Sequence, residues 1–501
     1  MSWKVIWQSL SNREMRKRIA TALGILLVFR MLANIPVPLA NPTTLHQILT
    51  NLFSSKALQN SQFLSFANVL SGGALANFSI MLAGLGPYIN ASIIMQLLTK
   101  AIPKLEALQK EGEFGQKKIN QYTRMLTLPL AIIQSIGSIY LIRQAAQSIG
   151  GIGDITANTS LFQWVLMITA LTGGSMLLMW LGELITEQGI GNGISLIITV
   201  GIVSRLPSTI GSIFSSLTAS GKRLVMFGKV LPVSSRQIVF TLVIAAFVIL
   251  LTYLVVKLNE AARRVTIHYA KRVQGNRAYG GVTTTLPIKL ITAGVIPIIF
   301  AVAFLSVPSF AGQLLSGSKS THLAKIGTDL TTWFQSPTKT AFATEGWHAY
   351  LYPVVYFTLV FVFTFFYTNV TFNSKEISEN LQKQGGFIEG IRSGKATEKY
   401  LGRLVNRVTL FGAICLGLLA LLPIIGQIFI TSNISIGGTS VLILVSVSLE
   451  TLRAIESRAL MVTYDQYSEP NFFGEDIGGE PPKERKSRFR LLKRNPETAK
   501  K

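Results

Sequence analysis

The side chains best suited to covalent or metal chemistry are few and far apart. Four histidines, His46, His268, His322 and His348, share no metal-ligand spacing. The lone Cys415 lies in an apolar run, which excludes an intrachain disulfide framework and a multi-cysteine metal site. Gly312–Ser320 (GQLLSGSKS) approaches a phosphate loop but sets an extra residue, Ser318, between its second glycine and the lysine. Carboxylates avoid the middle of the apolar runs. Glu183 and Glu456 fall at run ends, and Glu450 lies somewhat deeper. A proton- or cation-coupled pump needs ionisable groups along its path, so this pattern argues against one. The residue inventory predicts a non-enzyme with no metal and no cofactor.

Two patterns do carry chemistry. One is basic: Asn259–Thr285 holds Arg263, Arg264, Lys271, Arg272 and Arg277, and Phe372–Leu404 holds Arg392 among five further lysines and arginines. Aromatics and glycines interleave with these charges, as in ordered loops that bind an acidic or phosphate-bearing partner. The other is Ser71–Leu98, where an apolar run contains Gly84, Gly86, Pro87, Asn90 and Gln96. Glycine and proline weaken a helix, and an amide in lipid needs a partner. Such a stretch suits a helix lining a cavity rather than a passive anchor.

The elements that hold these patterns are membrane spans. The chain of 501 residues is 49% hydrophobic and 14% charged, with net charge +24. Apolar runs of about 20 residues recur throughout, which marks a polytopic membrane protein. Ten spans are expected, at 19–39, 78–98, 122–142, 161–182, 190–206, 237–257, 287–306, 351–371, 405–425 and 438–460. Basic Met1–Arg18 leads into the first, which reads as an uncleaved span. Lys and Arg concentrate in alternate segments, and the positive-inside rule then puts both termini in the cytoplasm. The segments are a cytoplasmic 1–18, a first half 19–206, an external loop 207–236, a second half 237–460 carrying cytoplasmic loops 259–285 and 372–404, and a basic tail 461–501. Asp476–Lys501 reads as a disordered stretch lying near anionic lipid.

The two halves look like copies of one unit. Gly84-x-x-Pro87 in span two matches Gly294-x-x-Pro297 in span seven, setting Ile89 opposite Ile299. Gly193-x-Ser195-x-x-Ile198 in span five matches Gly438-x-Ser440-x-x-Ile443 in span ten, setting Ile198 opposite Ile443. Five spans per unit make the halves inverted, and inverted repeats with interrupted spans mark a central pathway. A solute transporter with an inverted repeat is the competing reading. It has little use for two basic docking loops.

In order along the chain stand Ser71-Gly-Gly-Ala-Leu75, Pro87-Tyr-Ile-x-Ala-Ser-Ile-Ile94, Ile185-Thr-Glu-x-Gly-Ile-Gly-Asn-Gly-Ile-Ser195, Tyr269-Ala-Lys-Arg272, Leu286-Pro-Ile-Lys289, Ala293-Gly-Val-Ile-Pro297, Gly390-Ile-Arg392 and Gly437-Gly-Thr-Ser440. On these motifs the chain resembles the SecY family of the bacterial Sec translocase over most of residues 13–465. The resemblance implies an all-α polytopic fold of ten helices, two inverted five-helix halves around an hourglass pore. It implies passage of unfolded secretory polypeptides and lateral release of membrane segments into lipid.

Carried over by motif, the waist is a ring of Leu85, Ile89, Ile194, Ile198, Ile299 and Ile443. Branched aliphatics offer no hydrogen bonds, so such a waist can dewet against ions and deform around a peptide. The plug falls at about 63–74, with Phe63, Phe66, Val69, Leu70, Ser71, Gly72, Gly73 and Ala74. A lateral gate parts spans two and three from seven and eight, with Pro87, Asn90, Gln96, Gln134 and Pro297 on it, the prolines weakening their helices. Arg392, with Arg263, Arg264, Lys271, Arg272 and Arg277, would dock the ribosome or the SecA motor. Implied partners are SecE, SecG, SecA, the ribosome, signal sequences and nascent chains, and lipids including anionic headgroups, in the bacterial inner membrane. Segments 207–236 and 307–350 are long for the family, and Ile291 stands where the family often has asparagine.

Overall fold

The computed structural model describes residues 13–37, 71, 79–148, 160–207, 210–211, 223–226, 229–269, 272–274, 277–279, 281, 283–292, 294–316, 320–335, 337, 346–429 and 438–468. Most of the expected plug therefore lies outside the described residues, as do Lys271 and residues 469–501 of the tail, while 461–468 continue the last helix.

The first half contains helices α1 (Arg13–Leu32), α2 (Gly86–Ala101), α3 (Pro103–Lys110), α4 (Glu113–Ser148), α5 (Leu161–Glu187) and α6 (Gly193–Val203). A hairpin of β1 (Arg223–Met226) and β2 (Lys229–Ser234) leads to the second half. That half has α7 (Ser235–Glu260), strands β3 (Ala262–Tyr269), β4 (Arg272–Gln274), β5 (Arg277–Tyr279) and β6 (Thr283–Lys289), and then α8 (Ile296–Ser316), α9 (Thr321–Trp333) and α10 (Leu351–Thr371). It closes with α11 (Ser374–Lys383), β7 (Gly386–Phe387), α12 (Lys395–Phe429) and α13 (Gly438–Ser468).

Each of the ten expected spans has a helix, namely α1, α2, α4, α5, α6, α7, α8, α10, α12 and α13. Among the described residues, six are long and apolar enough to cross a bilayer by composition alone. The other four fail for identifiable reasons. α1 and α13 carry several charges, while α2 and α6 are only 16 and 11 residues long. The short helices sit where the halves meet: α2 packs on α8, and α6 packs on α13. Second thus meets seventh and fifth meets tenth, as an inverted repeat requires. α7 is the opposite case, with Leu242, Val243, Ile249 and Leu250 all exposed, an apolar face for lipid.

Three spans differ from expectation. Span one was expected at 19–39, but its helix runs Arg13–Leu32 and residues 33–35 are turn and bend. Span seven was expected at 287–306, but its helix runs Ile296–Ser316. Leu286-Pro-Ile-Lys289 is instead the end of β6, paired antiparallel to β3 from Ala262↔Lys289 to His268↔Thr283. Hydropathy cannot separate a buried apolar strand end from the start of a span. Span two was expected at 78–98, but residues 81–85 are turns and the helix begins at Gly86.

One large apolar core runs through both halves. A second, separate core of Val265, Ile267, Ile288, Leu381, Ile388, Leu401 and Val405 lies beneath a three-stranded sheet ordered β6-β3-β7. Strand β7 comes from the second basic loop and β3 from the first, pairing at His268↔Phe387 and Tyr269↔Gly386. The two loops are one folded unit.

Candidate functional site

The centre is built on two matching backbone breaks. Gly84 has φ 61° and Gly294 has φ 59°, the left-handed region that side chains resist. Helix α2 starts two residues after Gly84, and α8 starts two residues after Gly294. Pro87 and Pro297 therefore stand in the first turn of their helices, where the missing N–H has no partner to lose. This corrects the expectation that they weaken the gate helices. The prolines that interrupt helix interiors are Pro129 in α4, Pro308 in α8 and Pro423 in α12.

The turn before α2 is held from the side. Ser175 Oγ on α5 donates to the Gly84 carbonyl at 2.8 Å, and the Met81 N–H donates to Ser79 Oγ at 3.1 Å. Gly174 lies so close to the Ile80 carbonyl that a Cβ there would collide with it. Helix α6 is started by Asn192, whose Oδ1 accepts from the N–H groups of Ile194 and Ser195, while the Gly193 N–H donates to Thr186 Oγ1 at 2.9 Å. Ile194 and Ile198 thus begin a capped helix, one turn apart on one face.

The six residues expected in the ring share the core that both halves build. Leu85, Ile89, Ile198, Ile299 and Ile443 are each at most 5% exposed and belong to the large core, with Ile194 packed against it.

One seam between the halves is formed by α2 and α4 against α8. The Gln134 side chain on α4 covers Gly86 at the start of α2; a Cβ at Gly86 would lie 2.8 Å from its Nε2. Gly137, one turn further along α4, faces the Phe310 ring of α8. Gln96 Nε2 donates to Ser92 Oγ at 3.2 Å, while its Oε1 is buried with no hydrogen-bond partner among the described residues. Asn90 is half-buried. Arg124, expected within span three, forms a bidentate pair with Glu183 of α5 at 2.6 and 3.0 Å. The sequence places this pair 59 residues apart, so no local spacing could have flagged it.

Where the chain passes from β6 into α8, beside α10 and α13, a polar cavity of about 190 Å³ is lined by Lys289, Thr292, Tyr367, Glu450 and Arg453. Lys289, in strand β6, is held below the usual lysine range by burial, with Arg453 adding to the effect and Glu450 opposing it. Arg453 donates to Asn259 Oδ1 and to its carbonyl oxygen.

The basic residues ride on the sheet unit. Arg263 and Arg264 are exposed on β3. Arg392 is exposed just after a tight turn in which Gly390 has φ 75° and the Ile391 N–H donates to the Ile388 carbonyl at 3.0 Å. Ile388 anchors that turn in the small core, which is the physical sense of Gly390-Ile-Arg392. Arg272 and Arg277 belong to the β4–β5 hairpin. Lys271 and, of the plug, Phe63, Phe66, Val69, Leu70, Gly72, Gly73 and Ala74 lie outside the described residues; Ser71 is fully buried.

With this geometry in hand, similarity to known proteins is informative. The family model described as SecY matches residues 79–452. A protein translocase subunit SecY from Streptomyces galbus is 38% identical over 460 residues, covering 91% of this chain and 97% of that protein. One solved structure, described as showing that the plug domain of the SecY protein stabilises the closed translocation channel and maintains a membrane seal, is 18% identical. It has a TM-score of 0.57 and covers 90% of this chain and 94% of its own. A channel in a canine ribosome–channel complex from the endoplasmic reticulum is also 18% identical, with a TM-score of 0.54 over 89% of this chain and 93% of its own. At these identities the two structures establish the fold alone.

Proposed function

The chain belongs to the SecY family of protein translocase subunits, and from that premise we infer that it forms the central protein-conducting channel of a Sec translocon. Unfolded secretory polypeptides pass between the halves, and membrane segments leave sideways into lipid. The observation that supports this reading is that the aliphatic side chains expected in the ring share one apolar core built by both halves, in which α2 packs on α8 and α6 on α13. Leu85, Ile89, Ile194, Ile198, Ile299 and Ile443 close the pore as a ring without hydrogen-bonding groups, so ions are excluded while a moving peptide finds no fixed partner.

The α2/α4–α8 seam is the lateral gate in its closed arrangement. Segment 63–74 is the plug beneath the ring, and the halves are residues 19–206 and 237–460. The sheet unit faces the cytoplasm with both termini, in the bacterial inner membrane. Its exposed Arg263, Arg264 and Arg392 take the ribosome's RNA phosphates and the SecA motor in turn. SecE and SecG complete the complex.

Ile299→Asn and Ile443→Asn test the ring. Each puts an amide into the seal, and each is expected to raise ion leak of the reconstituted channel and to relax its demand for a sound signal sequence. If both variants keep wild-type leak and reject a signal-defective substrate as strictly, the ring assignment fails.

A further inference from the structure

The long segment between α8 and α10 contains helix α9, which the channel reading does not use. Its residues fall on three faces. Gly327 and Thr331 face α8; Gly327 meets Gly312 there so closely that a Cβ on either would strike the partner helix backbone. Thr321, Lys325, Thr328 and Thr332 form an exposed polar face. Between them, at i, i+3, i+7 and i+10, run Leu323, Ile326, Leu330 and Trp333. Leu323 is 43% exposed, Ile326 39% and Trp333 37%, so this apolar stripe is not covered by the chain's own described residues.

The far end of α9 is fixed to the next span. The Trp333 ring stacks on His348 at 5.8 Å with an interplanar angle of 3°, and Trp347 lies against the same imidazole at 4.0 Å. α10 begins at Leu351, immediately after this cluster and the exposed Trp347 and Tyr350. Exposed tryptophan and tyrosine at the head of a span mark the headgroup level of a bilayer. The stripe is continuous in sequence with α8 and α10, whose exposed Phe304, Val307 and Val354 are lipid-facing surface.

We propose that α9, folded back antiparallel along the last turns of α8 on the side away from the sheet unit, sits at the edge of the bilayer with its Leu323–Ile326–Leu330–Trp333 stripe in lipid. It then ties the end of gate helix α8 to the head of α10 through the membrane surface. The occupant of the stripe is the headgroup–acyl boundary, because a polar face opposite an apolar one suits that boundary and neither pure water nor pure hydrocarbon. This rests on the membrane-spanning reading of α8.

Spin labels separate the two. In a Cys415→Ser background, Phe304→Cys, Leu323→Cys, Ile326→Cys, Lys325→Cys and Thr328→Cys are labelled in the full chain in lipid nanodiscs. Collision with oxygen, which partitions into lipid, is compared with collision with a water-soluble nickel chelate. The expected result is oxygen dominating at 304, 323 and 326, and nickel dominating at 325 and 328. Nickel dominating at 323 and 326, or neither relaxer reaching them, overturns the proposal while oxygen still dominates at 304. Nickel dominating at 304 as well overturns the spanning reading instead.

Discussion

Replacing Gly137 probes whether the α4–α8 contact holds the channel shut. The residue has no side chain, and the Phe310 ring of α8 fills the space; an added Cβ would lie 2.9 and 3.1 Å from Cε1 and Cε2 and closer still to Cζ. Those distances are well inside carbon–carbon contact, so the ring must swing or the helices must part. Overpacking of this kind costs about 1–3 kcal/mol. Gly137→Ala should fall near the lower figure and Gly137→Leu near the upper. The gain in helix propensity on losing glycine, about 1 kcal/mol, applies equally to closed and open states and cancels. The closed-to-open ratio therefore falls by about 5- to 150-fold. Ion conductance of the reconstituted channel, and export of a substrate with a defective signal sequence, should both rise in that order. Phe310→Ala added to Gly137→Leu should restore closure, because the cavity accepts the new side chain. Gly173→Ala, with nothing within 4 Å of its new Cβ, is the silent control. Conductance and stringency that stay at wild type in Gly137→Leu, or a rise that Phe310→Ala leaves untouched, would refute the reasoning.

Other perturbations follow from the same geometry. Arg392→Glu should cripple SecA-driven export in a reconstituted assay while membrane insertion and thermal stability stay normal, since the side chain is exposed and only its carbonyl bonds Thr397. Ser175→Ala removes a buried bond to the Gly84 carbonyl and should lower unfolding stability in detergent by about 1 kcal/mol. Gly84→Ala and Gly294→Ala should each cost about 1–2 kcal/mol by the same assay, because both backbones are left-handed. Arg124→Ala should destabilise more than the Arg124→Ala/Glu183→Ala pair of changes, as the single change leaves the largely buried Glu183 carboxylate uncompensated.

Much of the fold can be read from the sequence because membrane insertion depends on sums along the chain. Each of the ten spans expected from apolar runs has a helix, though not always with the expected bounds; the distribution of Lys and Arg predicts their orientation, and the paired Gly-x-x-Pro motifs point to the repeat. The six aliphatic residues proposed for the ring are chosen by motif register. Other features depend on what meets across the fold. Gly84 and Gly294 look like helix breaks in the sequence; their left-handed backbones make them the turns from which α2 and α8 start, so Pro87 and Pro297 begin helices rather than bend them. Leu286-Pro-Ile-Lys289 is as apolar as a span start, and only pairing with β3 makes it a strand. The two basic loops, with α8, α9 and α10 between them in the sequence, become one unit because Val265, Ile267, Leu381 and Ile388 share a core. Hydropathy and charge are properties of a segment and can be summed without knowing its neighbours. A strand partner, an ion pair such as Arg124–Glu183, or a glycine emptied for Phe310 is a property of two distant segments, and it exists only once packing has brought them together.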